Sequence, residues 1–432
     1  MDLLRFAAAG SVDDGKSTLV GRLLHDSKQL FDDQLDALEA QRLRHGRATM
    51  DLATITDGLR AEREQGITID VAYRYAATPR RKFVIADCPG HLQYTRNMAT
   101  GASTADLLLL VVDASSGLKP QTRRHLCIAA LLGVRQVVAC VNKMDLTGWS
   151  PAAFAAARDE IATLCDLLGI ETLTVIPVSA LGGDNVVDRT SAAPFYDGPS
   201  VLEALEAAPA STGHGGGTGA TRLPVQWVVN HPGGTKSFAG MVSGAPLHTG
   251  DAVVVLPAGS PPESEASLLG PSPAGTSVVT SIETSAGRVA AASPGISVRV
   301  ELAGNPSVVR GDIIAAQVVP PEVTRRFDAA VCWFSGEPLA AGGRYIVKHT
   351  TRRTEATALA VAGVVDVNHL ALAPGERLVT NDIGIVRWET AEPLAVDDYA
   401  TNRTTGSFVV IDTTTNATVG AGMVGVPDLP TA

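Results

Sequence analysis

The 432-residue sequence contains few cysteines, few aromatic residues and no excess of positive charge. Its five cysteines are scattered and form no CxxC pair, which argues against a disulfide framework or a zinc site and predicts reduced, buried thiols. The net charge of −10 provides no general attraction to nucleic acid or anionic lipid. No apolar run reaches the roughly 18 residues of a membrane span, and the start, MDLLRFAAAG, lacks a signal-peptide pattern. We therefore expect a cytoplasmic protein without a membrane span.

The first half of the chain alternates apolar runs with helical patterns. The apolar runs predict strands at 3–9, 82–87, 106–114, 134–143 and 173–180. The helical patterns cover 15–30, 121–133 and 150–169. This alternation predicts an α/β domain with a doubly wound, mainly parallel sheet, in which ligands bind at the carboxyl ends of the strands.

The character of the sequence changes after a stretch rich in Gly, Ser and Thr, which predicts a flexible linker and, as the alternative, a long surface loop. Short β-type runs follow and predict two antiparallel β-barrels. The segment 259–275 is predicted to be an exposed loop. The predicted domains are a P-loop domain over 1–208, a linker over 209–221, and barrels over 222–319 and 324–428.

The stretch GSVDDGKST matches the phosphate-binding pattern G-x-x-x-x-G-K-[ST] between a predicted strand and a predicted helix. Its glycines let backbone N–H groups converge on phosphate oxygens, Lys16 is expected to reach the β and γ phosphates, and the Ser17 hydroxyl to bind Mg²⁺. An accidental glycine turn is the alternative. The residues assigned to nucleotide contact here are Gly10, Ser11, Val12, Asp13, Asp14, Gly15, Lys16, Ser17 and Thr18. We expect the side chains of the loop to point outward, with Asp14 facing a switch segment or a partner protein.

Three further motifs follow at the ends of predicted strands. DCPGH ends the strand at 82–87, and Asp87 is placed to hold Mg²⁺ through a water molecule. NKMD selects guanine, because the Asp145 carboxylate accepts hydrogen bonds from N1–H and the 2-amino group, which adenine does not offer. SAL is placed to offer backbone amides to guanine O6. The assigned residues are Asp87, Cys88, Pro89, Gly90 and His91, then Asn142, Lys143, Met144 and Asp145, then Ser179, Ala180 and Leu181.

The segment DGLRAEREQGITID lies between the first two motifs. Its Thr68 is a candidate to bring a second hydroxyl to Mg²⁺ and to close over the γ-phosphate. Residues 27–65 are long and highly charged, which is consistent with a solvated helical insertion or with an effector segment that GTP orders and hydrolysis releases.

These residues resemble the translation-factor class of GTPases, of which elongation factor Tu is the familiar member. Within that class they are most similar to the GTP-hydrolysing subunits of bacterial ATP sulfurylase, since members of the Tu type have a histidine-containing loop without an aspartate at the position of Asp14. The resemblance implies that a separate small subunit converts ATP and sulfate to adenosine 5′-phosphosulfate and pyrophosphate, and that GTP hydrolysis on this chain drives the reaction. Some members carry a fused kinase, but this sequence has no second phosphate loop, so we expect no such activity.

The resemblance also implies roles in hydrolysis. His91 matches the position of the water-orienting histidine, with a surface histidine of a mobile segment as the alternative, and Val12 matches part of an apolar gate. Lys16 and Thr68 complete the predicted catalytic set. A GTP-dependent carrier of aminoacyl-tRNA is the rival function. Asp14 and the absence of an evident basic, aromatic-rich face argue against it. A stand-alone P-loop kinase would need neither guanine specificity nor two barrels.

Overall fold

The computed structural model describes residues 2–29, 52, 71–91, 94–209, 219–257, 275–367 and 371–426. Thr68, most of the predicted effector segment, most of the linker and most of the loop at 259–275 lie outside the described residues. The chain divides into two compact units, 1–211 with 366–370, and 212–365 with 371–432. The predicted domain boundaries stay predictions.

The first unit is the predicted α/β domain. Its strands are β1 (Leu3–Gly10), β2 (Ala72–Ala77), β3 (Lys82–Asp87), β4 (Leu107–Asp113), β5 (Gln136–Asn142) and β6 (Thr172–Pro177). Its helices are α1 (Lys16–Asp26), α2 (Thr95–Ser103), α3 (Pro120–Leu131), α4 (Pro151–Leu167) and α5 (Val201–Ala207), with a 3₁₀ turn at Met144–Thr147. The sheet order is β2-β3-β1-β4-β5-β6, and all neighbours are parallel except β2 and β3. This confirms the predicted fold class.

The sheet is buried because its strands are apolar on both faces. All seven residues of β4 are buried, as a central parallel strand requires. Strand β2 differs, since it lies at the edge of the sheet and its side chains alternate between half-buried and exposed. The sequence did not predict this strand, because its half-buried positions (Ala72, Arg74 and Ala76) and its exposed positions (Tyr73, Tyr75 and Ala77) do not alternate between apolar and polar residues.

Helix α1 is shorter than the predicted 15–30 for a local reason. Lys28 has φ 58°, a left-handed conformation that stops the helix. The Ser27 hydroxyl and the Ser27 N–H both donate to the carbonyl of Leu23 in the last turn, which holds the end of the helix in place.

The second unit holds two barrels. The first contains β7 (Arg222–Asn230), β8 (Lys236–Met241), β9 (Leu247–His248), β10 (Ala252–Leu256), β11 (Thr276–Thr284), β12 (Gly287–Val289), β13 (Ala291–Ala292), β14 (Ser297–Leu302) and β15 (Ile313–Ala316). The second contains β16 (Glu322–Trp333), β17 (Leu339–Ala340), β18 (Arg344–His349), β19 (Arg352–Asp366), β20 (Ala371–Ala373), β21 (Arg377–Leu378), β22 (Ile383–Val396), β23 (Ser407–Asp412) and β24 (Thr418–Val424).

Both barrels are antiparallel and closed. Strand β10 pairs with β11 to close the first, and β18 pairs with β19 to close the second. Each barrel has its own apolar core, which in the second is built around Trp333 and Trp388. In the described part of the second unit, closure pairs the long strand edges that would otherwise be open to aggregation.

All five cysteines lie among the described residues, where they are buried and form no disulfide. Over the described part of the chain, no helix combines the length and apolar character needed to cross a membrane.

Candidate nucleotide-binding site

The sequence motifs meet at one edge of the parallel sheet. Strand β1 ends at Gly10, β3 ends at Asp87 and β5 ends at Asn142. Each of these residues is the first residue of its motif. In the register, Ala8 lies opposite Asp87 and Asp113 lies opposite Asn142, so the carboxyl ends of the strands are level with one another. This edge is where doubly wound sheets bind ligands.

Two glycines give the phosphate loop its shape. A side chain on Gly10 would place a Cβ 2.4 Å from the Val111 carbonyl oxygen, and one on Gly15 would place it 2.3 Å from Asn142 Nδ2. Between them, Asp13 is exposed and has φ 64°, a left-handed conformation that aspartate tolerates better than most residues. The loop therefore fits closely against β4 and β5 before helix α1 begins at Lys16.

The segment after β3 lies directly against this loop. A Cβ on Gly90 would be 2.8 Å from Lys16 Nζ and 3.1 Å from the Gly10 carbonyl oxygen. Lys16 itself is only 7% exposed. The buried ammonium group, the start of α1 and the Gly90 backbone therefore converge, as a site for terminal phosphates requires.

Asp14 does not face outward, and that expectation was wrong. Its side chain is 0% exposed, and its Oδ1 forms an ion pair with Lys119 Nζ at 2.6 Å. Its Oδ2 accepts from the Ser11 N–H at 2.9 Å and from the Thr122 hydroxyl at 3.4 Å. A buried carboxylate needs charged and hydrogen-bonding partners, and Lys119 and Thr122 at the start of α3 supply them.

Asn142 of NKMD connects two other motifs. Its Nδ2 donates to the Asp14 carbonyl oxygen at 2.8 Å, and its Oδ1 accepts from the Ala180 N–H at 2.9 Å. The next residue, Lys143, has φ 63° and pairs with Asp113 at 2.7 Å. Burial opposes ionisation of Asp113, but hydrogen bonds from Lys143 and Ser115 outweigh it and lower the pKa of the carboxyl group. NKMD is thus anchored to the phosphate loop, to SAL and to β4.

The region expected to contact the base has one exposed acidic group. Met144 is fully buried while Asp145, the next residue of the 3₁₀ turn, is exposed. In SAL, the Ser179 N–H donates to the Asp184 carbonyl and the Ala180 N–H to Asn142. A backbone N–H that donates to guanine O6 would therefore come from Leu181. The Ala180 N–H could do so only by donating to Asn142 and to O6 at the same time.

Arg22 of α1 holds the SAL stretch through hydrogen bonds to its backbone carbonyls. Its Nη2 donates to the Leu181 carbonyl at 2.6 Å and its Nε donates to the Ala180 carbonyl at 3.3 Å. The same guanidinium lies 3.4 Å from Asp26. Helix α1 therefore connects the phosphate end of the site to the base end.

His91 is half-buried at the end of DCPGH, and its ring meets Tyr94 edge-on with centroids 6.3 Å apart. Its Nε2 is buried and has no hydrogen-bond partner in the described part of the chain. A buried ring nitrogen without a partner is a ready hydrogen-bonding group for a ligand or a water molecule.

His125 of α3 was not predicted to lie near the site. It is 0% exposed, and Gln121 Nε2 lies 3.0 Å from its Nε2. Burial, assisted by the nearby charges of Lys16 and Arg124, lowers the pKa of His125 to about 3, against the opposing effect of a backbone interaction with Gly10. The ring is therefore neutral at physiological pH and adds no positive charge behind the loop.

The chemistry of two predicted metal ligands suits Mg²⁺. Ser17 offers a hydroxyl in the first turn of α1, and Asp87 offers a fully buried carboxylate at the end of β3. Such hard oxygen ligands fit this ion. The third predicted ligand, Thr68, lies outside the described residues.

Cys88 has no catalytic part in this arrangement. Burial raises the pKa of its thiol far above the usual range, the charge of Asp87 adds to that effect, and the charge of Lys16 opposes it. The thiol stays protonated, which makes it a packing group.

Sequence reasoning missed Lys119, Thr122, His125 and Arg22. The first three belong to the loop and helix that follow β4, at the edge of the sheet that holds the motifs. Two features of the sequence could have indicated these three residues. One is their place directly after β4, at the ligand-binding edge of the sheet, and the other is the positive charge of Lys119, opposite to that of Asp14.

Comparison with known proteins identifies the family of this chain. Residues 1–210 match the family model of the elongation factor Tu GTP binding domain, and 326–425 match the GTP-eEF1A C-terminal domain-like family. The relative "Sulfate adenylyltransferase subunit 1" of Chromobacterium violaceum is 44% identical over 98% of this chain and 86% of its own. "Bifunctional enzyme CysN/CysC" of Mycobacterium tuberculosis strain H37Rv is 47% identical over 98% of this chain and 67% of its own.

Among solved structures, sup35 complexed with GDP covers 99% of this chain and 95% of its own at a TM-score of 0.42 and 23% identity, too distant to support a conclusion. The sequence relatives do not favour the rival function of carrying aminoacyl-tRNA, because at 44–47% identity they have sulfate adenylyltransferase and bifunctional-enzyme names.

Proposed function

The chain belongs to the sulfate adenylyltransferase subunit 1 family within the elongation factor Tu-like GTPases, and from that membership we propose how it works in its complex. It binds and hydrolyses GTP, and a separate small subunit binds ATP and sulfate. Hydrolysis drives the otherwise unfavourable formation of adenosine 5′-phosphosulfate and pyrophosphate on that small subunit. Both proteins act in the cytoplasm.

The observation that supports this proposal is the convergence of the four motifs at one edge of the sheet, joined by the side chain of Asn142. A phosphate loop alone does not distinguish GTP from ATP. The exposed carboxylate of Asp145 accepts two hydrogen bonds from guanine and would remain unpaired against adenine, so the site selects GTP.

In the proposed hydrolysis, water attacks the γ-phosphorus in line with the leaving oxygen. Lys16 and the backbone N–H groups of the loop stabilise the charge that develops on the phosphate oxygens. His91 Nε2 accepts a hydrogen bond from the attacking water and orients it. Ser17 and, through a water molecule, Asp87 would hold Mg²⁺, which would neutralise phosphate charge.

Coupling to the small subunit is proposed to occur by a shift in population. GTP contacts the segment 87–91 through Gly90, which already lies against Lys16. The conformation that GTP favours has to bind the small subunit's transition state more tightly than the GDP-bound conformation does, since a ligand with no such preference shifts nothing.

Reconstitution tests this function. The chain is mixed with the candidate small subunit, ATP, sulfate and GTP, and pyrophosphate release is followed. We expect GTP to increase the release, and a non-hydrolysable GTP analogue to abolish the sustained increase. No GTP-dependent gain would contradict the proposal, and tight binding of aminoacyl-tRNA by the GTP-bound chain would favour the rival carrier function.

A further inference from the structure

We infer that Lys119 is a positioning residue for the phosphate loop, and that it acts by neutralising the buried carboxylate of Asp14. This inference rests on the proposed function only in assuming that the loop holds GTP and GDP. The two residues are 105 positions apart in the sequence, and the ion pair joins the loop after β1 to the loop before α3.

The ion pair with Lys119 explains how the negatively charged Asp14 can belong to a loop that binds negatively charged phosphates. Asp14 belongs to the loop that receives the phosphates, yet it is 0% exposed and cannot be screened by water. At 2.6 Å, the ammonium group of Lys119 cancels most of its field. Without Lys119, a buried negative charge would remain next to the anionic phosphates.

Lys119 also fixes the shape of the loop. Besides Asp14, its Nζ donates to the Val12 carbonyl oxygen at 3.3 Å, so one cation holds two loop residues. The other carboxylate oxygen, Oδ2, holds the Ser11 N–H and the Thr122 hydroxyl. The loop is therefore braced from the outside, by α3, as well as by its own glycines.

Lys119 keeps its side chain 31% exposed, while Asp14 is fully enclosed. Because of this difference in exposure, replacing Lys119 should weaken nucleotide binding more than replacing Asp14 does. Removal of Lys119 leaves the buried Asp14 carboxylate with hydrogen-bond donors but without a cation. Replacement of Asp14 by Asn leaves a cation that can turn toward water.

The experiment compares affinities for GDP and GMP in four proteins: wild type, Lys119→Met, Asp14→Asn and the double variant. Lys119→Met is expected to weaken GDP binding by about tenfold or more, and GMP binding less, because GMP lacks the phosphate that the loop surrounds. Adding Asp14→Asn to Lys119→Met is expected to restore the affinity for GDP to within about threefold of wild type. Lys119→Arg is expected to remain close to wild type.

Arg123→Met is the matched control. It removes a positive charge from α3, which begins one residue after Lys119, but among the described residues Arg123 pairs with Glu160 and not with the loop. We expect no change in the ratio of GMP to GDP affinity. If Lys119→Met does not fold, the double variant still decides: recovery of folding and of GDP affinity on removal of the Asp14 charge supports the inference, and a double variant that also fails to fold overturns it.

A double variant as weak as Lys119→Met would overturn the inference, as would a Lys119→Met protein that binds GDP like wild type. Failure of the wild-type chain to bind any guanine nucleotide would instead contradict the proposed function. The two failures are therefore distinguishable.

Discussion

Two ion pairs, one in each unit, show how similar buried charges serve different ends. In the first unit, Asp14 and Lys119 join the phosphate loop to helix α3 at the ligand-binding edge of a parallel sheet. In the second unit, Arg222 and Asp397 form an even less exposed pair, with side chains 3% and 9% exposed, between the two barrels. Both pairs join residues distant in sequence. Only their positions in the fold separate a pair that shapes a binding site from one that holds two barrels together.

The same contrast applies to the two buried histidines. His125 lies behind the phosphate loop, and His349 lies in the second barrel, where its Nε2 is 2.7 Å from the Thr405 carbonyl oxygen. Burial lowers the pKa of both. Burial and a displaced pKa therefore do not identify a functional group without its position in the fold.

The largest loss of stability is expected when the less exposed of the two ion pairs, Arg222 with Asp397, is broken. Arg222→Met leaves Asp397 buried without its cation, so we expect the second unit to lose about 3–5 kcal/mol of unfolding free energy. GTP affinity should stay within about twofold of wild type under conditions where the variant is folded. Urea unfolding and nucleotide titration measure the two quantities.

Arg326→Met provides the control for this prediction, because its pair with Glu389 is exposed, with side chains 69% and 40% accessible. It should cost less than about 1 kcal/mol. A strong loss of GTP affinity in Arg222→Met would break the contrast between the two pairs.

A second prediction concerns catalysis and not stability. His91→Ala is expected to reduce GTP hydrolysis at saturating GTP by about a hundredfold or more, because it removes the group proposed to orient the attacking water. GTP affinity and unfolding should change little, as measured by phosphate release, nucleotide titration and thermal melting. His25→Ala, at a histidine of α1 whose side chain is 29% exposed, serves as the control. Full hydrolysis by His91→Ala in the presence of the small subunit would show that the assigned role is wrong.

Two buried asparagines allow a third, paired test. Asn142→Ala removes the link between the phosphate loop and SAL, and Asn402→Ala removes the bonds of Asn402 to Ser243, Thr404 and Thr405 in the second unit. Each is expected to cost about 1–3 kcal/mol of unfolding free energy, because buried polar groups lose partners. Only Asn142→Ala should also weaken GTP binding, by about tenfold or more. Equal affinities for GTP in the two variants would contradict the assignment of Asn142.

The smallest expected effect is a dependence of the unfolding free energy on pH, caused by His125. The folded pKa of His125, about 3, lies below the ordinary value of 6.5, so its stabilising contribution is complete above pH 6.5 and is lost progressively as the pH falls toward 3. Between pH 7 and pH 5, wild type should lose about 2 kcal/mol more than His125→Gln. Urea unfolding at both pH values measures this difference. Parallel losses in the two proteins would show that His125 is accessible to protons in the folded state.

Much of the fold could be predicted because its signals are local. Strand β3 was predicted with its observed bounds, and α1 begins at Lys16, one residue after the predicted start, because the glycine and lysine of the loop mark that point. The contacts of Asp14 could not be predicted, since its partner Lys119 is 105 residues away and no pattern connects them. The expectation of an outward side chain failed because it considered only the loop and not helix α3, which packs behind it.

The bond between Asn142 and Ala180 was missed for a similar reason. The sequence placed both residues near the base, but which amides face guanine depends on a side-chain contact that only the folded sheet creates. Residue type and strand order indicated the ligand, and tertiary packing decided which atoms remain available to it.

Simultaneous measurement of two products decides whether GTP hydrolysis drives the formation of adenosine 5′-phosphosulfate. With the candidate small subunit, ATP, sulfate and GTP present, phosphate from GTP and adenosine 5′-phosphosulfate are followed in the same reaction. We expect adenosine 5′-phosphosulfate to rise well above the level reached without GTP, in proportion to the phosphate released, and His91→Ala to lose both together. Phosphate release with no rise in adenosine 5′-phosphosulfate above that level would contradict this coupling.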